Sequence, residues 1–176
     1  MPDISELNKL AHHIGTFFLG KADSVRLALV SVLAEGHMLV EDVPGIGKTL
    51  LARLMIAQLP PAFCTVYLAN PCFNRDEIIE AISRDLGLPD LLASREGKLA
   101  ALQQELLRRH AAGQRVLLVI DEAHTMPIES IEEVRLLSNI ESAQHKLVNI
   151  MLFGQPELDD MLAQPRLRQL RDRVIH

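Results

Sequence analysis

Five consecutive apolar residues at positions 116–120 constrain the fold of this chain more than any other feature. A strand with one face in water alternates apolar and polar residues, so an unbroken apolar run predicts a strand buried on both faces of a parallel sheet. Other short apolar segments predict strands at 37–40, 63–69, 147–153 and 174–175. Helical patterns separate these strands, and the alternation favours a doubly wound α/β fold with helices on both faces of the sheet.

Helical periodicity and capping residues predict the helices between the strands. Asn74 and Glu77 form a capping box directly before an apolar helical pattern. The segment 128–140 repeats apolar residues at helical spacing, and three of its acids are expected on the solvent-facing side. These acids are Glu129, Glu132 and Glu133. Further helices are predicted at 4–18, from 23 to 35, around 51–55, at 99–110, at 156–163 and at 165–172.

The segment 42–49 reads Asp-Val-Pro-Gly-Ile-Gly-Lys-Thr and stands between a predicted strand and a predicted helix. A phosphate-binding loop needs this context and small residues, because its backbone N–H groups point at phosphate oxygens. Gly45 and Gly47 supply that freedom, and the following helix N-terminus adds a partial positive charge. Lys48 is expected to contact the β- and γ-phosphates of a nucleotide, and the Thr49 hydroxyl to bind Mg²⁺. The predicted nucleotide-binding residues here are Pro44, Gly45, Ile46, Gly47, Lys48, Thr49 and Leu50.

Two carboxylates, Asp121 and Glu122, follow the buried strand at 116–120 directly. In open α/β sheets ligands bind at the carboxyl ends of the strands, so both acids are expected at the ligand-binding edge. Asp121 is predicted to help hold Mg²⁺, and Glu122 to orient and deprotonate an attacking water molecule. Either motif alone also fits a simpler structure, a glycine turn for the first and an acidic helix N-cap for the second. Their occurrence together favours a nucleotide site.

Composition argues against several other classes of protein. Hydrophobic residues make up 48% and charged residues 23% of the 176 residues, as in a globular domain rather than a disordered chain. The net charge of −5 gives no overall basic footprint for nucleic acid, and two cysteines form no disulfide framework. The longest uncharged stretch, between Arg53 and Arg75, contains three prolines, so membrane insertion of this chain is not expected.

Two stretches of the chain resemble AAA+ ATPases of two different groups. Residues 14–55 resemble the start of MoxR-type AAA+ ATPases, in which an aspartate at the position of Asp42 is ordinary; the resemblance is carried by segments 18–21, 35–37 and 41–49. Residues 62–176 resemble ATPases of the ExeA/MshM type, which are linked to general secretion and MSHA pilus biogenesis. The segments that carry this second resemblance are 69–71, 119–124, 135–141, 154–158 and 167–174.

The resemblance implies one AAA+ nucleotide-binding core over residues 1–176, a P-loop NTPase with Walker A and Walker B motifs. It implies a leading helix within residues 1–20, a contact of Gly20 with adenine, and a parallel sheet of strand order 5-1-4-3-2 flanked by helices. A truncated fifth strand and the absence of a lid domain are also expected. The two groups do not normally meet in one chain, so the join at 55–62 indicates a natural recombinant, an engineered chimera or a computed sequence.

The resemblance also implies roles for polar residues outside the two motifs. Asn70 is implied to hold Glu122 in check until a partner binds, the alternative being a turn-capping asparagine. Gln155 is implied to sense the γ-phosphate and the attacking water, the alternative being a loop amide. Arg171 or Arg173 is implied to act as an arginine finger on the ATP of a neighbouring subunit, the alternative being a solvated basic helix.

Together these features predict a Mg²⁺-dependent ATPase that remodels or assembles a partner complex, like a secretion ATPase or a MoxR-type chaperone. A homo-oligomer with sites between subunits and a cytoplasmic location are implied, with the inner membrane reached only through partners. One alternative is a nucleotide-binding switch with little hydrolysis. Another is a DNA-associated AAA+ protein of the transposition-helper type, although the acidic net charge makes nucleic-acid binding unexpected. Nucleotide turnover tests the first alternative, and salt-dependent DNA binding tests the second.

Overall fold

A five-stranded sheet in which all neighbouring strands are parallel forms the centre of the molecule. The computed structural model describes residues 28, 30–32, 36–41, 48–69, 71–89, 94–141 and 145–175. The strands are β1 (His37–Glu41), β2 (Phe63–Leu68), β3 (Arg115–Ile120), β4 (Val148–Gly154) and β5 (Val174–Ile175). Their spatial order is β2-β3-β4-β1-β5. This is the predicted order 5-1-4-3-2 viewed from the opposite edge, so the predicted sheet is confirmed.

Helices connect the strands at the places where periodicity predicted them. They are α1 (Lys48–Gln58), α2 (Arg75–Asp85), α3 (Arg95–Ala111), α4 (Ile128–Leu137), α5 (Glu157–Leu162) and α6 (Arg168–Arg171), with a 3₁₀ turn at Ala123–Thr125. The predicted capping box at Asn74 and Glu77 is confirmed at the start of α2. The predicted helix at 4–18 lies outside the described residues. Within the described ranges, no helix is both long and apolar enough to cross a membrane.

Each face of the sheet carries a hydrophobic layer, because the apolar run of β3 alternates between the two faces. Leu117 and Val119 point to the side of α1, where Leu51 packs in the same cluster. Leu118 and Ile120 point to the other side, among buried residues of α2 to α6. A parallel strand covered on both faces needs such an unbroken apolar run, as the sequence predicted.

The strand register brings the ends of four strands to one edge of the sheet. Leu68 of β2 pairs with Ile120 of β3, and Ile120 pairs with Leu152 of β4. Glu41 of β1 pairs with Gly154, the last residue of β4. We call this edge, where β1 to β4 end, the carboxyl edge. The segments that follow these strands contain the predicted site, so the fold gathers them on one side.

The prediction that Glu133 faces solvent is wrong, because its carboxylate is completely buried. Arg75 forms an ion pair with Oε1 of Glu133, and Nη2 of Arg95 lies 2.5 Å from Oε2. These arginines stand at the first positions of α2 and α3, which cover this side of α4. Glu129 is exposed, as predicted. The apolar stripe of a helix indicates which face packs against the sheet, but not whether neighbouring helices cover its polar flank.

Candidate functional site

A hydrogen bond joins the two predicted motifs at the carboxyl edge. Thr49, the second residue of α1, donates its hydroxyl to Oδ2 of Asp121 across 2.6 Å. Asp121 follows β3 directly, and only 1% of its surface is exposed. The two residues are 72 positions apart in the sequence. The structure therefore brings together the two residues that were predicted to hold Mg²⁺.

A third residue, Tyr67, joins this pair, and the sequence analysis did not identify it. The Tyr67 phenol donates to Oδ2 of Asp121 at 3.0 Å, and the backbone N–H of Glu122 donates to Oδ1 at 3.0 Å. Burial raises the pKa of Tyr67, as do its hydrogen bond to Asp121 and the charge of that carboxylate, while Arg53 acts in the opposite direction. The sequence feature that could have identified Tyr67 is a single side-chain hydroxyl near the end of β2, the strand that pairs with β3.

At Glu122 the backbone adopts the left-handed conformation, and the strand geometry of β3 ends there. Its φ is 52° and its ψ is 36°, and within the described ranges it is the one non-glycine residue with positive φ. Such a conformation costs about 1–3 kcal/mol in a residue with a Cβ and often marks functional sites. The Thr125 hydroxyl donates to the Glu122 carbonyl at 2.8 Å, which helps to hold the turn.

The Glu122 carboxylate lies beside a histidine. Nε2 of His124 is 3.6 Å from Oε2 of Glu122, whose side chain is 38% exposed. Nδ1 of His124 is buried and has no hydrogen-bond partner among the described residues. The carboxylate is thus open enough for a water molecule to reach it, and the imidazole lies beside it.

The donor set fits Mg²⁺. Mg²⁺ prefers hard oxygen ligands and is usually held by one or two carboxylates together with substrate phosphates and water. Asp121 offers a buried carboxylate, and Thr49 offers a hydroxyl 2.6 Å from it. In the part of the chain that the structure describes, no group of three or more His, Cys, Asp or Glu side chains could hold a metal ion alone. A site with one carboxylate and one hydroxyl suits an ion that arrives with phosphate groups.

Several predicted site residues lie outside the described residues. They are Gly20, Pro44, Gly45, Ile46, Gly47 and Asn70. Lys48 is the first residue of α1, and Leu50 follows Thr49 with an exposed side chain. The described structure therefore gives both boundaries of the predicted phosphate-binding loop, at the end of β1 and at the start of α1. These boundaries match the predicted strand–loop–helix context.

Gln155 lies at the carboxyl edge, as its predicted role requires. It follows β4 directly, and the preceding Gly154 pairs with Glu41, the last residue of β1 before the predicted loop. The backbone carbonyl of Gln155 accepts a hydrogen bond from the N–H of Leu158 at 2.9 Å, which fixes the turn into α5. Gln155 thus follows a residue that pairs with the end of β1. The role of its amide as a sensor stays a prediction.

The two candidate finger arginines make contacts within the chain. Nε of Arg171 lies 3.6 Å from Oδ1 of Asp159, and Arg173 donates to Oδ1 of Asn139. Arg173 immediately precedes Val174, which pairs with the first residue of β1. That position is at the amino ends of the strands, opposite to the carboxyl edge. The fold therefore does not bring Arg173 to the Asp121 site of its own chain.

Comparison with known proteins identifies relatives of the chain. A family model described as an AAA domain matches residues 33–162. The chain is 36% identical over 140 residues to general secretion pathway protein A of Aeromonas hydrophila, covering 79% of this chain and 26% of that protein. It is 42% identical over 57 residues to the uncharacterised protein YeaC of Bacillus subtilis (strain 168), covering 32% of this chain and 18% of that protein. The chain thus spans about a quarter or less of the length of these relatives.

Solved structures support the same fold. The chain aligns with Cdc6p from Pyrobaculum aerophilum at a TM-score of 0.67 and 21% identity, covering 90% of this chain and 45% of that one. The ADP form of the Aeropyrum pernix ORC2 protein aligns at a TM-score of 0.63 and 19% identity, covering 87% and 45%. At these identities the likeness shows the fold alone. The resemblance to ExeA-type AAA+ ATPases is confirmed, and the MoxR-type resemblance of residues 14–55 stays a prediction.

Proposed function

The chain belongs to the AAA domain family, and from this premise we propose that the protein binds ATP with Mg²⁺ and hydrolyses it to ADP and phosphate. The proposal rests on the 2.6 Å hydrogen bond between Thr49 and Asp121. A Gly-Lys-Thr turn alone or a strand-terminal acid alone has simpler explanations. The hydrogen bond between the threonine at the start of α1 and the aspartate after β3 supports a shared Mg²⁺ site, because it holds two oxygen donors side by side.

The residues around this bond have complementary roles in the proposal. Mg²⁺, when bound, neutralises charge on the phosphate oxygens. Thr49 and Asp121 would hold it, the first through its hydroxyl and the second through its carboxylate. Lys48, one residue before Thr49, would contact the β- and γ-phosphates, with the N–H groups of the loop at 44–47 around them. The N-terminus of α1 would favour the same negative charge.

Glu122 is the proposed general base for hydrolysis. The water oxygen forms a bond to the γ-phosphorus, the bond from that phosphorus to the bridging oxygen breaks, and one water proton passes to the Glu122 carboxylate. The products are ADP and phosphate. The half-exposed carboxylate and its position directly after Asp121 support this role. The carboxylate, which lies beside His124, would turn towards the water.

Three further assignments belong to the same proposal. Gln155 would contact the γ-phosphate, and Asn70 would hold Glu122 until a partner binds. Arg171 or Arg173 would complete the site of a neighbouring subunit in a homo-oligomer. Arg173 lies at the amino ends of the strands, away from the site of its own chain, and this position supports a role on a neighbour's ATP. An arginine supplied by a neighbour stabilises charge that develops on the γ-phosphate.

The domain organisation of the chain, its partners and its location are also proposals. We propose one nucleotide-binding core in which the segments before and after the join at 55–62 function together. Met55 of α1 and Phe63 of β2 pack in the same hydrophobic cluster, which supports this. The name of the Aeromonas relative supports a secretion system as the partner complex. We further propose a cytoplasmic location, with the inner membrane contacted through partners. Chaperone-like remodelling of the MoxR type is the other partner class.

The test measures ATP binding and turnover across a series of protein concentrations. The variants are Lys48→Ala and Glu122→Gln, with Glu129→Gln, an exposed acid on α4, as the matched control. We expect turnover per subunit to rise with concentration. Glu122→Gln should lower turnover roughly 100- to 10,000-fold while ATP still binds, the range typical of general-base loss. Lys48→Ala should lose binding, and Glu129→Gln should behave like the parent protein.

Other outcomes would redirect the proposal. Tight Mg²⁺-dependent ATP binding without turnover by the parent protein would identify a nucleotide-binding switch. Absence of ATP binding by the parent protein would contradict the proposed function altogether. Salt-dependent binding to DNA would support a role of the transposition-helper type, because release of counterions from phosphates makes such binding fall steeply with salt.

A further inference from the structure

Tyr67 is the one tyrosine of the chain, which contains no tryptophan. It is the fifth residue of β2 and pairs with Val119 of β3. Residues paired across parallel strands point to the same face, so Tyr67, Val119 and Asp121 share the face that α1 covers. The ring packs in that hydrophobic layer, and the hydroxyl reaches the carboxyl edge.

The two oxygens of Asp121 are held from different directions. Glu122 N–H donates to Oδ1, while the Thr49 hydroxyl and the Tyr67 phenol both donate to Oδ2. Together these bonds restrain rotation of the carboxylate. The proposed function gives the Thr49 hydroxyl a second task, as a ligand of Mg²⁺. The Thr49 oxygen can coordinate the ion through a lone pair while its hydrogen still donates to Oδ2. The Tyr67 phenol is thus a second restraint on Oδ2, from a side chain that has no task as a ligand.

We infer that Tyr67 is a positioning residue of the metal site, and that its phenol keeps the Asp121 carboxylate oriented towards Mg²⁺ when nucleotide binds. The inference rests on the proposed function. It assigns Tyr67 no contact with the ion or the phosphates, since it acts through Asp121. Partners that orient a metal-ligating group typically contribute 10- to 100-fold to metal affinity.

A purely structural role for Tyr67 would have a different signature. Its ring packs against the hydrophobic cluster that contains Val119, so loss of the ring would loosen the layer under α1. Such loosening would weaken nucleotide binding with and without Mg²⁺ to the same extent. Loss of the hydroxyl alone, in Tyr67→Phe, keeps the ring and separates the two roles.

The first measurement compares affinity for a non-hydrolysable ATP analogue in Mg²⁺ and in EDTA. The variants are Tyr67→Phe and, as control, Thr65→Val, which removes a hydroxyl from the same face of the same strand. For Tyr67→Phe we expect unchanged affinity in EDTA and a 10- to 100-fold smaller gain from Mg²⁺. Thr65→Val should keep the full gain. A full gain in Tyr67→Phe, or equal losses in both conditions, would overturn the inference.

The second measurement uses the emission of Tyr67, which no tryptophan obscures. A phenol that donates to a carboxylate loses emission through proton transfer in the excited state. Asp121→Asn should therefore raise the emission of the folded protein without nucleotide. Equal emission of the two folded proteins would show that the bond is absent in solution and would overturn the inference. If the parent protein binds no analogue even in Mg²⁺, the proposed function itself fails, which is a result distinct from both.

Discussion

Mild acid should destabilise this protein through His37, the first residue of β1. Its side chain is completely buried, and the backbone N–H of Ile150 donates to its Nδ1 at 3.1 Å. A protonated imidazole could not accept that bond, and it would place a charge in the interior next to β4. Burial is the main cause that lowers the pKa of His37 to about 4, and the nearby charges of Lys146 and Arg173 add to it.

The sign and size of the effect follow from the lowered pKa. The folded protein holds His37 neutral down to a pKa of about 4, whereas the unfolded chain protonates it near 6.5. Stability is therefore lost as pH falls from 6.5 towards 4, because the unfolded state gains the proton first. The gap is about 2.5 units, and at 1.36 kcal/mol for each unit it corresponds to about 3 kcal/mol. The pKa of Glu105 is about 2, mainly through its hydrogen bond with Arg108, so its stabilisation is lost only below about 4.5.

The assay is urea unfolding at pH values between 7 and 4.5. His37→Gln keeps an acceptor for the Ile150 N–H but takes up no proton, so its stability should fall less with acid than that of the parent protein. The difference should approach 2–3 kcal/mol at the acid end. His145→Gln, at an exposed position, is the control and should follow the parent protein. If His37→Gln loses as much stability as the parent protein over this range, the reasoning about His37 is refuted.

Further substitutions test packing and charge elsewhere. Glu133→Gln should destabilise the protein by roughly 1–3 kcal/mol in chemical unfolding, because the two arginines lose their buried acceptor charge; an unchanged midpoint would contradict the ion-pair network. Gly154→Ala would put a Cβ 2.5 Å from Cδ2 of Leu158, so the thermal midpoint should fall, with a cost of about 1–3 kcal/mol; a neutral result would mean that Leu158 moves freely. Of the variants Arg171→Ala and Arg173→Ala, one should lower ATP turnover about 1,000-fold or more without weakening ATP binding. Added subunits that carry Glu122→Gln and keep this arginine should restore turnover, which would show that the arginine acts on the ATP of a neighbouring subunit.

The sheet could be predicted because its signals are local. The run at 116–120 is apolar at every position, which only a doubly covered strand requires, and the capping box at Asn74 starts α2 where the pattern placed it. The burial of Glu133 could not be predicted in this way. Its partners, Arg75 and Arg95, lie on two other helices, and their distance from Glu133 depends on how those helices pack.

The same distinction between local and non-local signals applies to the candidate site. Thr49 and Asp121 were predicted because each belongs to a motif with its own local context, and their hydrogen bond brings those motifs together. Tyr67 belongs to no motif. Its contact with Asp121 depends on the register of β2 against β3, in which Tyr67 pairs with Val119, and a shift by one residue would turn the phenol to the opposite face.

The turn at Glu122 explains how two adjacent acids can serve one site. In a strand, neighbouring side chains point to opposite faces, so a continued β3 would place Asp121 towards α1 and Glu122 into the layer that contains Leu118 and Ile120. A carboxylate there would be buried among apolar side chains. The left-handed backbone at Glu122, with φ of 52°, ends the strand geometry after Asp121 and leaves the second carboxylate 38% exposed. The strained conformation of Glu122, which costs about 1–3 kcal/mol, thus allows one acid to be buried beside Thr49 while the next is accessible to water.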